Sequence, residues 1–170
     1  MKTAFAALVL LFATGVSPLL GQGDDEASRT TLVGLTGVYV LVEHVADEAQ
    51  RDGLDTLQVR TDVEVKLRQA GIRVLSKEEW LSTAGAPYFY VDISTTKNPL
   101  GVYAFIVRVE LNQWVTLVRP PSQQRLLAAT WSTPGVLGMV GSKKLVSLRD
   151  NVRDQTDQFI NAYLAANPKR

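Results

Sequence analysis

Residues 55–75 read DTLQVRTDVEVKLRQAGIRVL, and this stretch decides the fold. Thr56, Val59, Val63, Leu67 and Ala70 recur every three or four residues, so they form one apolar stripe of a helix lying on a core. Asp55 is placed to cap that helix by accepting from its first free amides. Gly71 supplies a left-handed exit, and Ile72 and Val74 then alternate around Arg73 as a short strand. Upstream, the segment 32–45 contains Val38-Tyr39-Val40-Leu41-Val42, a β-branched run apolar on both faces that suits a central strand. The polar residues 47–53 end it. Strand, helix, glycine, strand is a βαβ unit, whose crossover is expected to be right-handed.

Downstream the pattern changes. Ser76 and Glu79 have the spacing of a capping box for a short helix carrying Trp80 and Leu81. Residues 88–95 set Phe89, Val91 and Ile93 against Tyr88, Tyr90 and Asp92, the alternation of a strand with one buried face. After the turn Asn98-Pro99-Leu100-Gly101, residues 103–119 form a long strand with Phe105, Val107, Val109 and Leu111 on one side. Arg108, Glu110 and Asn112 lie on the other. The turn Pro120-Pro121-Ser122 leads to a third strand at 125–132, ending at Trp131, so the three make an antiparallel meander. Leu145, Leu148, Val152, Thr156, Phe159, Ile160 and Tyr163 then follow helical spacing, and Asn167-Pro168 stops the helix. The expected fold class is α/β (α+β). It is a two-layer sandwich, a mixed sheet of about five strands with two main helices on one face, in the order β-α-β-(short α)-β-β-β-α.

The ends and the composition bound the function. Lys2 precedes an apolar run from Ala4 to Ala13 and the breakers Gly15, Ser17 and Pro18, followed by Asp24, Asp25 and Glu26. That pattern predicts a secretory signal peptide over residues 1–23, a flexible leader over 24–30 and a single domain over 31–170, with a mature N-terminus between Pro18 and Ala27. Leu19-Leu20-Gly21 has the shape of a lipoprotein processing site, but Gln22 follows and the chain holds no cysteine, so it offers no thiol for a lipid anchor, a disulfide or a nucleophile. The expected location is therefore periplasmic or extracellular without a lipid anchor. Lys and Arg number 18 against 17 Asp and Glu, with no basic cluster beyond Lys143-Lys144 and Lys169-Arg170, which gives nucleic acid nothing to bind. About 145 residues remain after processing, enough to bury roughly two-thirds of the unfolded surface. With 46% hydrophobic residues, packing can carry stability without disulfides.

Few residues suggest chemistry. His44, the one histidine, lies among Glu43, Asp47 and Glu48, but a second His or Cys ligand is absent from the sequence, which argues against a transition-metal site. A serine-hydrolase elbow is also missing. The carboxylate pairs open to a glycosidase-like reading are Asp62 with Glu64 and Asp92 with Glu110. The first two point apart on a helix, whereas the second two can share the open side of the sheet. The glycine-punctuated loop 134–143, next to Lys143 and Lys144, invites a phosphate-binding reading but matches neither nucleotide-binding glycine pattern. Its simplest role is a strand-to-helix connection with Val136, Leu137, Met139 and Val140 tucked under the last helix. Its alternative role is an apolar contact for a partner or membrane.

Trp80, Trp114 and Trp131 suit core or rim packing, but Trp114 shares parity with Arg108, Glu110 and Asn112, which places it on the less buried face with Tyr90. Candidate partner-binding residues are Val136, Leu137, Met139, Tyr90 and Trp114, on a surface for protein or glycan.

The pair Thr130-Trp131, the glycine-punctuated loop through Gly141 and the ending from Phe159 to Lys169 resemble the C-terminal part of a group of uncharacterised exported bacterial proteins. Leu67 to Leu75 fits the same group. More distantly, the order of strands and helices resembles small envelope domains such as the one at the N-terminus of the Tol-Pal propeller protein. The export pattern, the single compact domain and the lack of a credible catalytic set in the sequence point to a non-catalytic exported module, protein-binding or envelope-associated, with no cofactor and with an envelope protein as its candidate partner. The alternative is a carboxylate-dependent hydrolase acting on envelope polymers.

Overall fold

The computed structural model describes residues 23–118 and 124–168. The expected signal peptide, save its last residue, and the Pro120-Pro121-Ser122 turn lie outside the described residues. In chain order the elements are α1 (Glu26–Thr30), β1 (Tyr39–Val42), α2 (Asp47–Arg51), α3 (Thr56–Gln69), α4 (Lys77–Ser82), β2 (Tyr88–Lys97), β3 (Val102–Thr116), β4 (Arg125–Ser132) and β5 (Val136–Gly141). A 3-10 segment, Ser142–Ser147, leads into α5 (Leu148–Ala166).

The fold is a mixed α/β sandwich of two layers. β1 pairs in parallel with β2, β2 antiparallel with β3, and β3 antiparallel with both β4 and β5. α3 packs on β1, α5 packs on β3, and the two helices touch each other. Asp55 caps α3 as expected, its carboxylate accepting from the amides of Leu57 at 2.7 Å and Gln58 at 2.9 Å. Val59, Val63 and Leu67 are its buried stripe. In α5 the buried set is Leu148, Val152, Gln155, Thr156, Phe159 and Ala162.

Three expected elements differ. β1, expected as a central strand, is the end strand of the sheet, paired along its length with β2. Val74 forms a single parallel bridge to Val38 instead of a strand, because the chain enters α4 almost at once. The bridge is held from both sides: Val38 donates to the Arg73 carbonyl and Leu75 donates to the Val38 carbonyl, each at 2.9 Å. The segment 134–143 is also not a connection tucked under α5. It is β5, which completes the five strands.

β4 and β5 follow one another along one edge of β3, β4 beside its second half and β5 beside its first. Pro134 lacks an amide for the ladder, and Gly135 sits at φ 78°, so the edge breaks between the two strands. Thr133 spans the break. Its amide donates to the Val109 carbonyl at 2.9 Å, and its hydroxyl donates to the buried Gln155 of α5, whose amide donates to the Val107 carbonyl. A polar residue inside the helical stripe thus ties the helix to the irregular edge. Gly138 has a packing role and does not cradle an anion: a Cβ there would stand 2.8 Å from the Phe105 ring.

Two polar stretches read as irregular are helical turns. Residues 24–30 contain α1, where Asp25 accepts from the Ser28 amide at 2.7 Å and Ser28 returns the bond, a reciprocal cap. Trp131 Nε1 donates to Asp24 Oδ1 at 2.9 Å, so one of the acidic residues that suggested a mobile leader satisfies a buried indole. Residues 47–51 form α2, which buries Ala49. The end of α5 is pinned to the segment after α1: Tyr163 donates to the Leu35 carbonyl, while Asn167 donates to the Leu32 carbonyl and accepts from the Gly34 amide. The terminal pattern of aromatic and amide residues therefore has a structural use.

Gly37 provides a direct test of the Val38–Val74 bridge. A Cβ at Gly37 would lie 2.7 Å from the Arg73 carbonyl oxygen and 2.9 Å from Leu75 Cδ2. Gly37→Ala is expected to cost about 1–3 kcal/mol in urea unfolding, because the bridging backbone must move apart.

Asp52 after α2 gives a pH-dependent test. It accepts from Lys97 Nζ and from the Tyr103 hydroxyl, both at 2.8 Å. Those two bonds, Lys97 first, hold its carboxyl below the ordinary carboxylate range. A depressed folded value adds stability above the unfolded value and loses it as pH falls through the folded one. The stability gap between the native chain and Asp52→Asn is therefore expected to be full at neutral pH and to shrink below about pH 4.

Candidate functional site: the open face of the sheet

Alternation along β3 separates two faces. Tyr103, Phe105, Val107, Val109 and Leu111 point into the helical layer and are buried. The intervening residues point the other way, and the ladder pairs each with a neighbour on the same face. Asn112 stands beside Tyr88, Glu110 beside Tyr90 and Arg108 beside Asp92. Trp114 stands beside Leu127 on β4, while Ile106 and Ala104 stand beside Leu137 and Met139 on β5. Leu41 of β1 joins through Tyr90. An irregularity at Leu111/Asn112 skips Thr130 on β4, so the parity of β3 runs through unbroken.

One face thus carries Tyr90, Trp114, Leu137 and Met139, which the sequence placed in two separate patches. Trp114 keeps 44% of its surface in water, Leu137 80% and Met139 71%. Val136 does not belong with them. It pairs with Val107 and so lies on the helical side, 38% exposed at the sheet edge.

At the Trp114 end the face is concave. A groove of about 640 Å³ is lined by Leu41, Tyr88, Trp114, Arg125 and Leu127 from the sheet, and by Trp80, Leu81, Thr83 and Ala86 from α4 and the turn after it. Trp80 stacks on Tyr39 at 5.1 Å between ring centroids and meets Tyr88 edge-on at 5.8 Å. Its indole nitrogen donates to the Ala86 carbonyl at 2.7 Å, and the Trp114 amide donates to the Gly85 carbonyl at 2.8 Å. Ala86 holds φ at 40°, a conformation unusual for a residue with a side chain, between these two anchors. Arg125 lies over the Trp114 ring, 5.9 Å from its centroid. These bonds and ring contacts tie the α4 wall of the groove to the sheet that forms its floor.

Trp80, Leu81, Leu127 and Leu41 were missed as site residues. Leu127 was legible, because counting back from the hairpin pairs it with Trp114. Trp80 and Leu81 gave a weaker sign: adjacent apolar residues on a one-turn helix point in different directions, so one must face away from the core.

The middle of the face is polar. Asp92 is buried beneath its ion pair with Arg108 at 2.8 Å and accepts from the Ser94 hydroxyl at 2.9 Å. Glu110 makes no ion pair among the described residues and accepts only a long 3.5 Å bond from Asn112. Asp92 and Glu110 do share the face, but Asp92 is already engaged by a guanidinium. The other carboxylate pair is held too: Asp62 accepts from Arg149 at 2.8 Å and Arg153 at 3.0 Å, linking α3 to α5. Burial pulls the Glu64 carboxyl up, but Arg60 and Arg68 outweigh it and hold the group below its ordinary value.

His44 makes no hydrogen bond to either carboxylate pair among the described residues. Its side chain is 70% exposed, bonded to Asp47 at 3.0 Å at the mouth of a small cleft that also touches Asp92 and Ser94. No group of three or more potential ligands of the His, Cys, Asp or Glu type is assembled among the described residues. None of their helices is long and apolar enough to cross a membrane. Lys143 and Lys144 lie on the 3-10 segment that Gly141 leads into after β5.

No protein-family model matches the chain, and no curated protein matches it in sequence.

Proposed function

We propose that this protein is a non-catalytic exported module, periplasmic or extracellular, that captures another protein of the envelope through the open face of its sheet. The observation that carries this reading is the composition of that face. A solvent-facing sheet surface is normally polar, whereas here Trp114, Leu127, Leu137 and Met139 lie in water along one side. The groove around Trp114 is preshaped by the Trp80 and Gly85 anchors, which lowers the ordering cost of binding. Aromatic side chains beside a cation are the groups that dominate protein contacts, and Trp114 under Arg125 is such a pair. The export pattern of the first residues and the resemblance to exported bacterial proteins support the location.

The carboxylates speak for binding over hydrolysis. Asp62, Glu64 and Asp92 are each paired with arginine, so none is free to act as an acid or a nucleophile without breaking a structural contact.

A photo-activatable residue placed at Trp114 or Leu137, irradiated in the cells that export the protein, tests the reading. It is expected to give adducts with protein, while the same residue at Leu57 on α3 gives none. His44→Ala is expected to leave capture unchanged. Loss of activity in a folded His44→Ala protein, or an absence of protein adducts at both face positions, overturns the binding reading.

A further inference from the structure

We infer that the protein seated on the open face is a second copy of this chain, in an isologous face-to-face dimer. This rests on the open face being the binding surface. The two ends of the face have opposite shapes. The β5 end projects Leu137 and Met139, with Ile106 beside them, and the β4 end holds the groove floored by Trp114 and Leu127. A projection and a hollow on one surface are complementary to a second copy turned end for end.

The charges obey the same symmetry. Take a two-fold axis lying in the interface and crossing β3 near Val109. Residues equally distant from Val109 then meet across the axis, so Arg108 of each copy faces Glu110 of the other. Arg108 holds Asp92 and stands close enough to Glu110 of its own strand to feel its charge, yet Glu110 makes no direct ion pair among the described residues, and Arg108 of the second copy provides one. Along the edge, Leu127 lies at the level of Trp114 and Met139 at the level of Ala104, five positions to either side of Val109. Leu127 of each copy therefore receives Met139 of the other.

The size also fits. The 15 residues of β3 extend ~50 Å, and three to four strands spaced ~4.8 Å apart span ~14–19 Å, giving a face of order 800 Å². That matches the ~800 Å² that each partner contributes to a standard stable interface. Two open sheet faces packed with strands within ~30° of alignment are a common way for sheets to cover one another.

Sedimentation of the protein as purified from the cells that make it is the first test, at concentrations up to about 100 μM. A dimer is expected. Leu137→Asp and Glu110→Arg are each expected to weaken it by about 30-fold or more, with urea unfolding measured in parallel expected to show the fold retained. Leu57→Asp, at a position 72% exposed on the opposite layer, is expected to leave it intact.

The double variant Leu127→Cys, Met139→Cys gives a sharper test in a chain with no other cysteine. The two positions lie ten residues apart along β3, ~33 Å, too far for a bond within one chain. Oxidation is expected to join two chains through a pair of disulfides, and Leu57→Cys alone is not. A monomer throughout the range, or a dimer indifferent to both face substitutions, overturns the inference. Adducts from position 114 that contain a different protein overturn the second copy while leaving the binding reading standing. Absence of any protein adduct overturns both.

Discussion

Phe159→Ala is expected to lower the unfolding free energy by about 3–5 kcal/mol in urea or guanidinium titration. Phe159 is fully buried where the helical layer meets the sheet. Its ring lies 4.9 Å from that of Phe89 on β2, 5.2 Å from Trp131 on β4 and 6.2 Å from Tyr163 one turn along α5. Removing it opens a void against rings from two strands. Rigid aromatic neighbours collapse poorly into such a space, which favours the upper part of the range. Trp131 also holds Asp24, so the loss is expected to loosen α1 as well. Arg153, in contrast, is half exposed, shares Asp62 with Arg149 and pairs with Asp150. Arg153→Ala is expected to cost no more than about 1 kcal/mol. Equal costs at the two positions would mean that α5 packs through a different stripe.

Trp114→Ala is expected to reduce protein capture by about 30-fold, corresponding to about 2 kcal/mol, while changing stability by less than about 1 kcal/mol. The separation of the two effects is the informative part. Trp114 is 44% exposed and its backbone, not its ring, carries the bond to Gly85, so truncation leaves that bond in place. What it removes is the floor of the groove and the seat of Arg125. Parallel measurement of binding and of thermal or chemical unfolding checks it. If stability falls with affinity, Trp114 is acting as core.

Local chemistry made much of this legible. The period of Val59, Val63 and Leu67, the cap at Asp55 and the reciprocal cap of Ser76 with Glu79 are interactions within a few residues, so neighbours in sequence suffice to predict them. The parity of β3 was equally plain, because a pleated strand sends successive side chains to opposite faces whatever it pairs with. From parity alone Trp114 and Tyr90 were placed on the less buried side.

Pairing is where local reading stopped. Val136, Leu137 and Met139 have the apolar character of a covered segment, and nothing nearby in sequence tells whether a helix or only water lies over them. The tertiary structure decided that by docking β5 along the first half of β3, 29 to 39 residues away, because Pro134 and Gly135 break the edge there and Thr133 with Gln155 holds the break in place. The same docking separated Val136 from Leu137 by face and joined Leu137 to the Trp114 side. Asp24 shows the reverse case: it read as solvated because its local context is acidic, and only the arrival of Trp131 from the far end of the chain gave its carboxylate a buried donor. The sequence by itself determined α3, α4 and α5, the faces of β2 and β3 and the residues able to sit on an exposed apolar surface, since these follow from periodicity and local capping. Which of them share one surface depended on long-range backbone pairing, whose partners no local pattern specifies.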